Sequence, residues 1–439
     1  FPLKLTSKNM TNNKPKPFTI GVLRETMVPN ETRTPLTPNQ CAKILAQYGD
    51  KVAIVVEKYP FRCYSDKEYE DLGIKLVDKA ENADLLLGVK AASIESLKDN
   101  STYVMFSHTA KRQPHNRTLL RAILAKGIRL MDWEFMRDEN KVRLIGFGRW
   151  AGIVGAHNTI AAWGKKTGRF DLFRLCKIAD WEAAQKRYRE ELPIELLRGM
   201  RVVLTGSGRV GTGCREILDL LGFEKISPAD LLARDWSSAD HPPVYAQLPA
   251  DHLFRLGPDN SWSPDYYANP TGYHSIAWPY MVKANILING MYWDNRCGPL
   301  LTIEQMCQPE MAVRLIGDIT CDIAPVASLP CTVRPTVVKD PVLTFDPELG
   351  RELQPGEPRS ALAVDVMAVD NLPSELPRDA SRDFGDMILN KVLPEFLQAA
   401  AADGNQRVSP VLEGATITEA GKLTSVFAYL SDFVNAAED

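Results

Sequence analysis

Residues Arg201 to Gly213, RVVLTGSGRVGTG, constrain this chain more than any other stretch. Val202, Val203, Leu204 and Thr205 form a β-prone run that leads straight into Gly206-Ser207-Gly208-Arg209-Val210-Gly211, and the CREILDLLG that follows has the spacing of a helix ending at Gly222. The order predicts a strand, a tight turn and a helix N-terminus. Glycine suits such a turn because the backbone must bend sharply and approach a ligand closely, while the bare amides of the first helical turn attract a pyrophosphate. Asp230, 19 residues after Gly211, is expected at the end of the next strand, Phe223 to Asp230, where a carboxylate can accept from ribose hydroxyls. The alternative is an ordinary glycine-rich turn from strand to helix. Since the loop lies near the middle of the chain, another part of the polypeptide must carry the reacting groups.

A chain of 439 residues implies two or three domains. A hydrophobic fraction of 45% with 24% charged residues suits a globular protein, and a net charge of −3 without any dense Lys/Arg block argues against nucleic acid as a partner. No apolar run approaches the length of a membrane span. The first 17 residues, rich in Lys, Asn, Thr and Pro, lack the apolar core of a secretion signal and read as a flexible tail. Eight scattered cysteines without a CxxC pair or metal-ligand spacing are expected to be reduced and to hold no metal. The expected location is the cytoplasm or an organelle matrix.

The N-terminal third alternates strand and helix. Residues 18–24, 52–56, 83–89, 103–107 and 128–135 read as strands and 38–48 as a helix, which implies a parallel sheet whose ligands collect beyond the carboxyl ends of its strands. Arg24 ends the first strand and Arg33 follows it, Lys90 ends a later one, and Ser107-His108 end the next. Taken singly, these are as well read as a solvated lysine and a capping histidine. Their common position at strand ends instead suits an anionic substrate and proton transfer. Further on, four glycines within residues 146–155 read as a domain crossing, where one backbone passes close to another or to a ligand, ahead of a helix at 157–163. Residues 172–197 look like a helical connector, and 235–280 like a long aromatic-rich loop. Residues 284–290 and 316–322 read as strands, the latter carrying Asp318 and Asp322, and helices are expected over 384–400 and 415–436.

Nine segments then carry a family likeness: GVLRETMVPNETRTPLTP, GVKAASIESL, YVMFSHTAKRQ, IRLMDWEFM, GFGRWAGIVG, GSGRVGTG, NILINGMYWDNRCGPLLT, GDITCD and AVDNLPSELPRDASRDFGDM. In this order, over residues 20 to about 390, the chain resembles the lysine-forming saccharopine dehydrogenase family. It is still more similar to the lysine-ketoglutarate reductase half of bifunctional aminoadipic semialdehyde synthase. Its N-terminal part is also similar to alanine dehydrogenase and transhydrogenase. The resemblance implies an α/β protein of two Rossmann-like domains with parallel sheets and an active-site cleft between them. Residues 18–145 with 366–439 would form the substrate domain, and 146–365 the cofactor domain. It implies saccharopine, L-lysine and 2-oxoglutarate as small-molecule partners and NAD or NADP as cofactor, with Asp230 favouring NAD.

By position, Lys90 and His108 match the family's acid-base pair and Arg33 a substrate-carboxylate arginine. Lys111, Gln113, Arg143 and Asp370 match substrate-binding positions, while Gly206 to Gly211, Asp230 and Asp318 would serve the cofactor. Three places depart from the family pattern. Ala91 stands where glutamate commonly follows the lysine. Residues 323–330, IAPVASLP, replace a Gly-Gly-Ser-Ile-Glu-like segment, and Val210 and Gly290 replace the cysteines of a fungal disulfide. Two other readings stay open at this stage: an amino-acid dehydrogenase like alanine dehydrogenase, and a nucleotide-binding homologue without activity. The oligomeric state is not legible.

Overall fold

The computed structural model describes residues 16–401 and 409–436, so the expected tail lies, apart from Lys16 and Pro17, outside the described residues. The chain divides into two compact units, Phe1–Gly146 with Pro377–Asp439, and Phe147–Leu376.

In the first unit six parallel strands lie side by side in the order β3-β2-β1-β4-β5-β6. They are β1 (Phe18–Val22), β2 (Val52–Glu57), β3 (Lys75–Val77), β4 (Leu85–Lys90), β5 (Thr102–Phe106) and β6 (Arg129–Asp132). The central strands are apolar on both faces because a parallel sheet is covered on both. Leu85, Leu86, Leu87 and Val89 are all buried, each contributing roughly 1.5–3 kcal/mol of transfer free energy. Helix Pro38–Tyr48 starts at a capping box in which Thr37 and Gln40 satisfy each other's backbone amides, with Pro38 fitted to the first turn.

Residues 415–436, expected to be helical, instead begin with an antiparallel hairpin, Thr416–Glu419 and Lys422–Leu423, that extends the sheet beyond β6. The alternating β-branched TIT run favours a strand, and Ala420-Gly421, both at positive φ, supply the turn. Helical structure follows only after the hairpin, as a 3₁₀ helix at Ser425–Leu430 and a short α-helix at Ser431–Asn435.

The second sheet also has six parallel strands, ordered β8-β9-β7-β12-β13-β16, to which β14 and β15 add antiparallel. Their ranges are β7 (Arg201–Thr205), β8 (Glu224–Ile226), β9 (Val244–Leu248), β12 (Ile286–Asn289), β13 (Leu315–Asp318), β14 (Val342–Asp346), β15 (Arg351–Glu352) and β16 (Val364–Met367). The stretch 235–280 is therefore not one long loop. It contains β9 and a small hairpin, β10 (Phe254–Leu256) with β11 (Tyr273–Ser275), packed on Trp262, Tyr266 and Tyr273. Because β16 completes this sheet, the chain returns to the first unit at Pro377 rather than near 366.

One backbone does pass close to another at the glycines of 146–155, as expected, but Gly148, Gly152 and Gly155 lie inside a helix rather than ahead of it. Helix Gly148–Thr167 already begins at Gly148 and packs backbone to backbone on helix Arg209–Leu220. A Cβ on Gly152 would lie 2.0 Å from the Val210 carbonyl oxygen, and one on Gly213 1.9 Å from that of Arg149. Glycine inside a helix costs about 0.5–1 kcal/mol relative to alanine, and the close approach of two helices offsets it.

Candidate functional site

Four adjacent parallel strands of the first unit, β1, β4, β5 and β6, bring their carboxyl ends together, the place where such sheets hold ligands. Lys90 is the last residue of β4, and its Cα pairs across the ladder with Phe106, the last of β5. His108 stands two residues further on. Its φ of 54° places it in the left-handed region, a conformation costing an L-residue about 1–2 kcal/mol. Asp132, at the end of β6, holds it there: its fully buried carboxylate accepts from the Ser107 amide at 2.8 Å, the Ser107 hydroxyl at 2.7 Å and the His108 amide at 3.2 Å. Burial pushes the Asp132 carboxyl up from its usual range, and these donors and the Glu134 amide pull it down.

Glu134, two residues past β6, gathers three of the predicted residues. It accepts from Arg143 at 2.9 Å and lies 3.8 Å from both Lys111 Nζ and His108 Nδ1. At 3.8 Å the imidazole is within ion-pair range but beyond a formed hydrogen bond. Burial raises the carboxyl, yet His108, Lys111 and Arg143 outweigh it and hold Glu134 at about 2. The sequence reading placed Glu134 on a strand and gave it no role, because its role depends on partners distant in the chain.

A second carboxylate, Glu25, was also missed. It lies three residues past β1 and is buried, accepting from the Val89 amide at 2.6 Å and the Lys90 amide at 3.0 Å. Burial pushes it up to about 7 against those hydrogen bonds. It thus stands beside the Lys90 backbone in a chain that has Ala91 where a neighbouring glutamate was expected.

Arg33 is placed differently from expectation. It is 2% exposed, and its fork meets Glu31 through Nε to Oε1 at 2.8 Å and Nη2 to Oε2 at 2.7 Å. The edge expected to grip a substrate carboxylate is held by a neighbour two residues away. Gln113 is exposed and accepts from Asn116 at 3.3 Å. Asp370 belongs to the second unit and is exposed just after β16.

In the second unit the glycine loop has the expected form. Gly206, with φ of 87°, follows β7, and helix Arg209–Leu220 starts behind Gly208. A Cβ on Gly206 would come within 2.8 Å of Met291 Cα, and one on Gly211 within 2.3 Å of the Gly206 carbonyl oxygen, so neither position admits a side chain. Beside Gly208 there is open space, and Ser207 and Gly208 are exposed. Open backbone at the start of a twelve-residue helix fits the phosphates of a dinucleotide. Arg209 and Val210, half-buried, form its first turn.

Two cofactor assignments need correction. Asp230 is not at a strand end: β8 stops at Ile226, and Asp230 is the third residue of helix Pro228–Ala233, where its carboxylate accepts from the Ser227 hydroxyl at 2.7 Å in a capping box. Ser-Pro-x-Asp is a helix start, and that local signal outweighs the spacing from the glycine loop. Asp318 does end β13 but is fully buried, its carboxylate accepting from Asn289 at 3.0 Å, Thr320 at 2.7 Å and Thr332 at 2.6 Å. Burial raises it and these donors lower it. It orders the strand ends from within and presents no surface to a ligand. Among the described residues no cluster of His, Cys, Asp and Glu suits a metal ion, and no helix is long and apolar enough to cross a membrane.

Residues 21–154 match the family described as alanine dehydrogenase/PNT, N-terminal domain. Along 94% of its length the chain is 29% identical to alpha-aminoadipic semialdehyde synthase of Arabidopsis thaliana, of which it covers 41%; the chain spans less than half the length of the synthases it matches. It is 23% identical to the saccharopine dehydrogenase [NAD(+), L-lysine-forming] of Yarrowia lipolytica, with 87% of this chain and 92% of that protein covered. Among solved structures it shares its fold with an L-alanine dehydrogenase, at a TM-score of 0.58 and 16% identity over 94% of this chain and 98% of the other.

Proposed function

We propose that this chain, related over most of its length to lysine-forming saccharopine dehydrogenases and aminoadipic semialdehyde synthases, interconverts saccharopine with L-lysine and 2-oxoglutarate as a nicotinamide-dependent oxidoreductase. The observation that carries the reading is that Lys90 and His108 stand at adjacent strand ends, with Glu134 beside His108 and in turn facing Lys111 and Arg143. A nicotinamide dinucleotide, when bound, supplies the hydride acceptor or donor for C2 of the glutarate moiety. Oxidation of a secondary amine also requires loss of the proton on nitrogen, and Lys90 is the group that would take it. Water then adds to the imine carbon and the C–N bond breaks. One group must take a proton from the water and return one to the departing lysine nitrogen, and an imidazole, here that of His108, serves both purposes near neutral pH. Around it, two cations, Lys111 and Arg143, face one carboxylate, Glu134, which leaves an excess positive charge for an anionic substrate.

The test follows NADH and NADPH oxidation with lysine plus 2-oxoglutarate, and separately with pyruvate plus ammonia. Turnover of the first pair is expected. Turnover of the second pair alone would make the chain an alanine dehydrogenase-like enzyme, and dinucleotide binding without turnover of either would leave only a nucleotide-binding role.

A further inference from the structure

We propose that the turn after β9, Pro249–His252, reads the adenosine ribose of the dinucleotide, and that Asp251 in this turn separates NAD(H) from NADP(H); this rests on the dinucleotide reading above. In a sheet with a glycine loop after one strand, the ribose-binding carboxylate comes from the end of the strand hydrogen-bonded to the loop strand. Sequence order would make that strand β8, which comes next in the chain. The sheet is ordered otherwise: β9 inserts between β7 and β8, leaving β8 at the edge, one strand and roughly 5 Å further out.

The pairing is regular. β9 runs parallel to β7 from Arg201↔Val244 to Thr205↔Leu248. The ladder then continues into the loop itself, because the Gly206 amide donates to the Leu248 carbonyl at 2.9 Å and Gln247 Nε2 donates to the Gly206 carbonyl at 3.0 Å. The residues after Leu248 therefore leave the sheet beside the first glycine of the loop.

Pro249 ends the ladder there, since it has no amide to donate, and residues Ala250–His252 form a single 3₁₀ turn. Asp251 is the only carboxylate in the turn and is partly exposed. Its carbonyl is bound by the Arg255 guanidinium, which also donates to the Phe254 carbonyl at 2.9 Å; Arg255 thus pins the turn through backbone oxygens. No lysine or arginine lies within Pro249–His252 to attract a 2′-phosphate. A carboxylate at this point can accept from the 2′- and 3′-hydroxyls of NAD(H), whereas it meets a phosphate of like charge in NADP(H). Asp230, the candidate from spacing alone, is on the helix after the edge strand, with its carboxylate engaged by Ser227.

The experiment measures dissociation constants for NADH and NADPH by fluorescence titration of the whole chain, without substrate. Wild type, Asp251→Asn, Asp251→Ser and Asp230→Ser are compared, each checked by circular dichroism to be folded at the titration temperature. Wild type should favour NADH, and both Asp251 variants should lose roughly ten-fold of that preference. Asp230→Ser should leave the ratio unchanged within about two-fold and lower only the melting temperature. Asp251→Asn keeps the shape and removes the charge, so it remains informative if Asp251→Ser folds poorly. A wild-type preference for NADPH, or a preference that collapses in Asp230→Ser but not in Asp251→Asn, overturns the proposal. A wild type that binds neither dinucleotide refutes instead the dinucleotide reading on which it rests.

Discussion

The carboxyl ends of the two sheets solve opposite problems. In the first unit the strand ends are crowded with side chains: Lys90, His108 and Glu134 at the rim, with Glu25 and Asp132 buried behind them and bound to the backbone that carries the first two. In the second unit the strand end that matters is stripped of side chains, since Gly206 and Gly211 have no room for a methyl group and Gly208 opens onto free space. One site depends on charges held in place by other charges. The other depends on backbone amides left bare, so its chemistry resides in what the sequence omits. The two regions should therefore fail in different ways when altered.

The largest effect is expected in the first. Lys90→Met and His108→Gln should each lower turnover by about 10² or more, the usual scale of a general acid-base contribution, while dinucleotide affinity stays within about two-fold. Steady-state kinetics with a parallel binding titration separates the two quantities. Near wild-type turnover in either variant would take that residue out of the proposed mechanism. In the second region the complementary change adds an atom. Gly211→Ala puts a Cβ 2.3 Å from the Gly206 carbonyl oxygen and should weaken dinucleotide binding at least ten-fold, with an overpacking cost of about 1–3 kcal/mol in stability. Unaltered affinity in a folded Gly211→Ala protein would mean that the loop is not the phosphate site.

The sequence was most informative where a residue's role depends on its own chemistry or on its immediate neighbours. The glycine loop, the strand ends at Lys90 and His108, and the alternating strands of the first unit were legible for that reason. It was silent where the role depends on a partner distant in the chain. Asp132 matters through the amides of Ser107 and His108, and Glu134 through Lys111 and Arg143; nothing in IRLMDWEFM marks them. Arg33 shows the converse: a local glutamate, Glu31, satisfies the fork that was expected to be kept for substrate. The error over Asp230 is topological. Counting residues from the glycine loop assumes that the next strand in sequence is the next in the sheet, and insertion of β9 breaks that assumption. The close approach of backbones around Gly152 was legible, but the helix that holds these glycines was not, because low helix propensity says nothing of a neighbouring helix that needs the space.

The smallest expected effect concerns Glu134 and distinguishes a structural ion cluster from a site tuned for substrate. Its carboxyl sits at about 2 in the folded chain, below its ordinary 4.5, because His108, Lys111 and Arg143 together outweigh the effect of burial. A depressed carboxyl contributes stability that is fully present above the unfolded value and is lost as pH falls through the folded one. The Glu134 contribution should therefore be intact above pH 5 and disappear between about pH 4.5 and 2. Glu134→Gln should melt below wild type at pH 7, by about 2–4 °C for each kcal/mol lost. The two melting curves should converge as the pH approaches 2. At pH 7 the variant also leaves Lys111 and Arg143 without their carboxylate, so the Michaelis constant for an anionic substrate should move more than turnover does. Equal melting temperatures at pH 7 would show that the cations find other partners at no cost. A gap that persists undiminished at pH 2 would assign the loss to packing instead of charge.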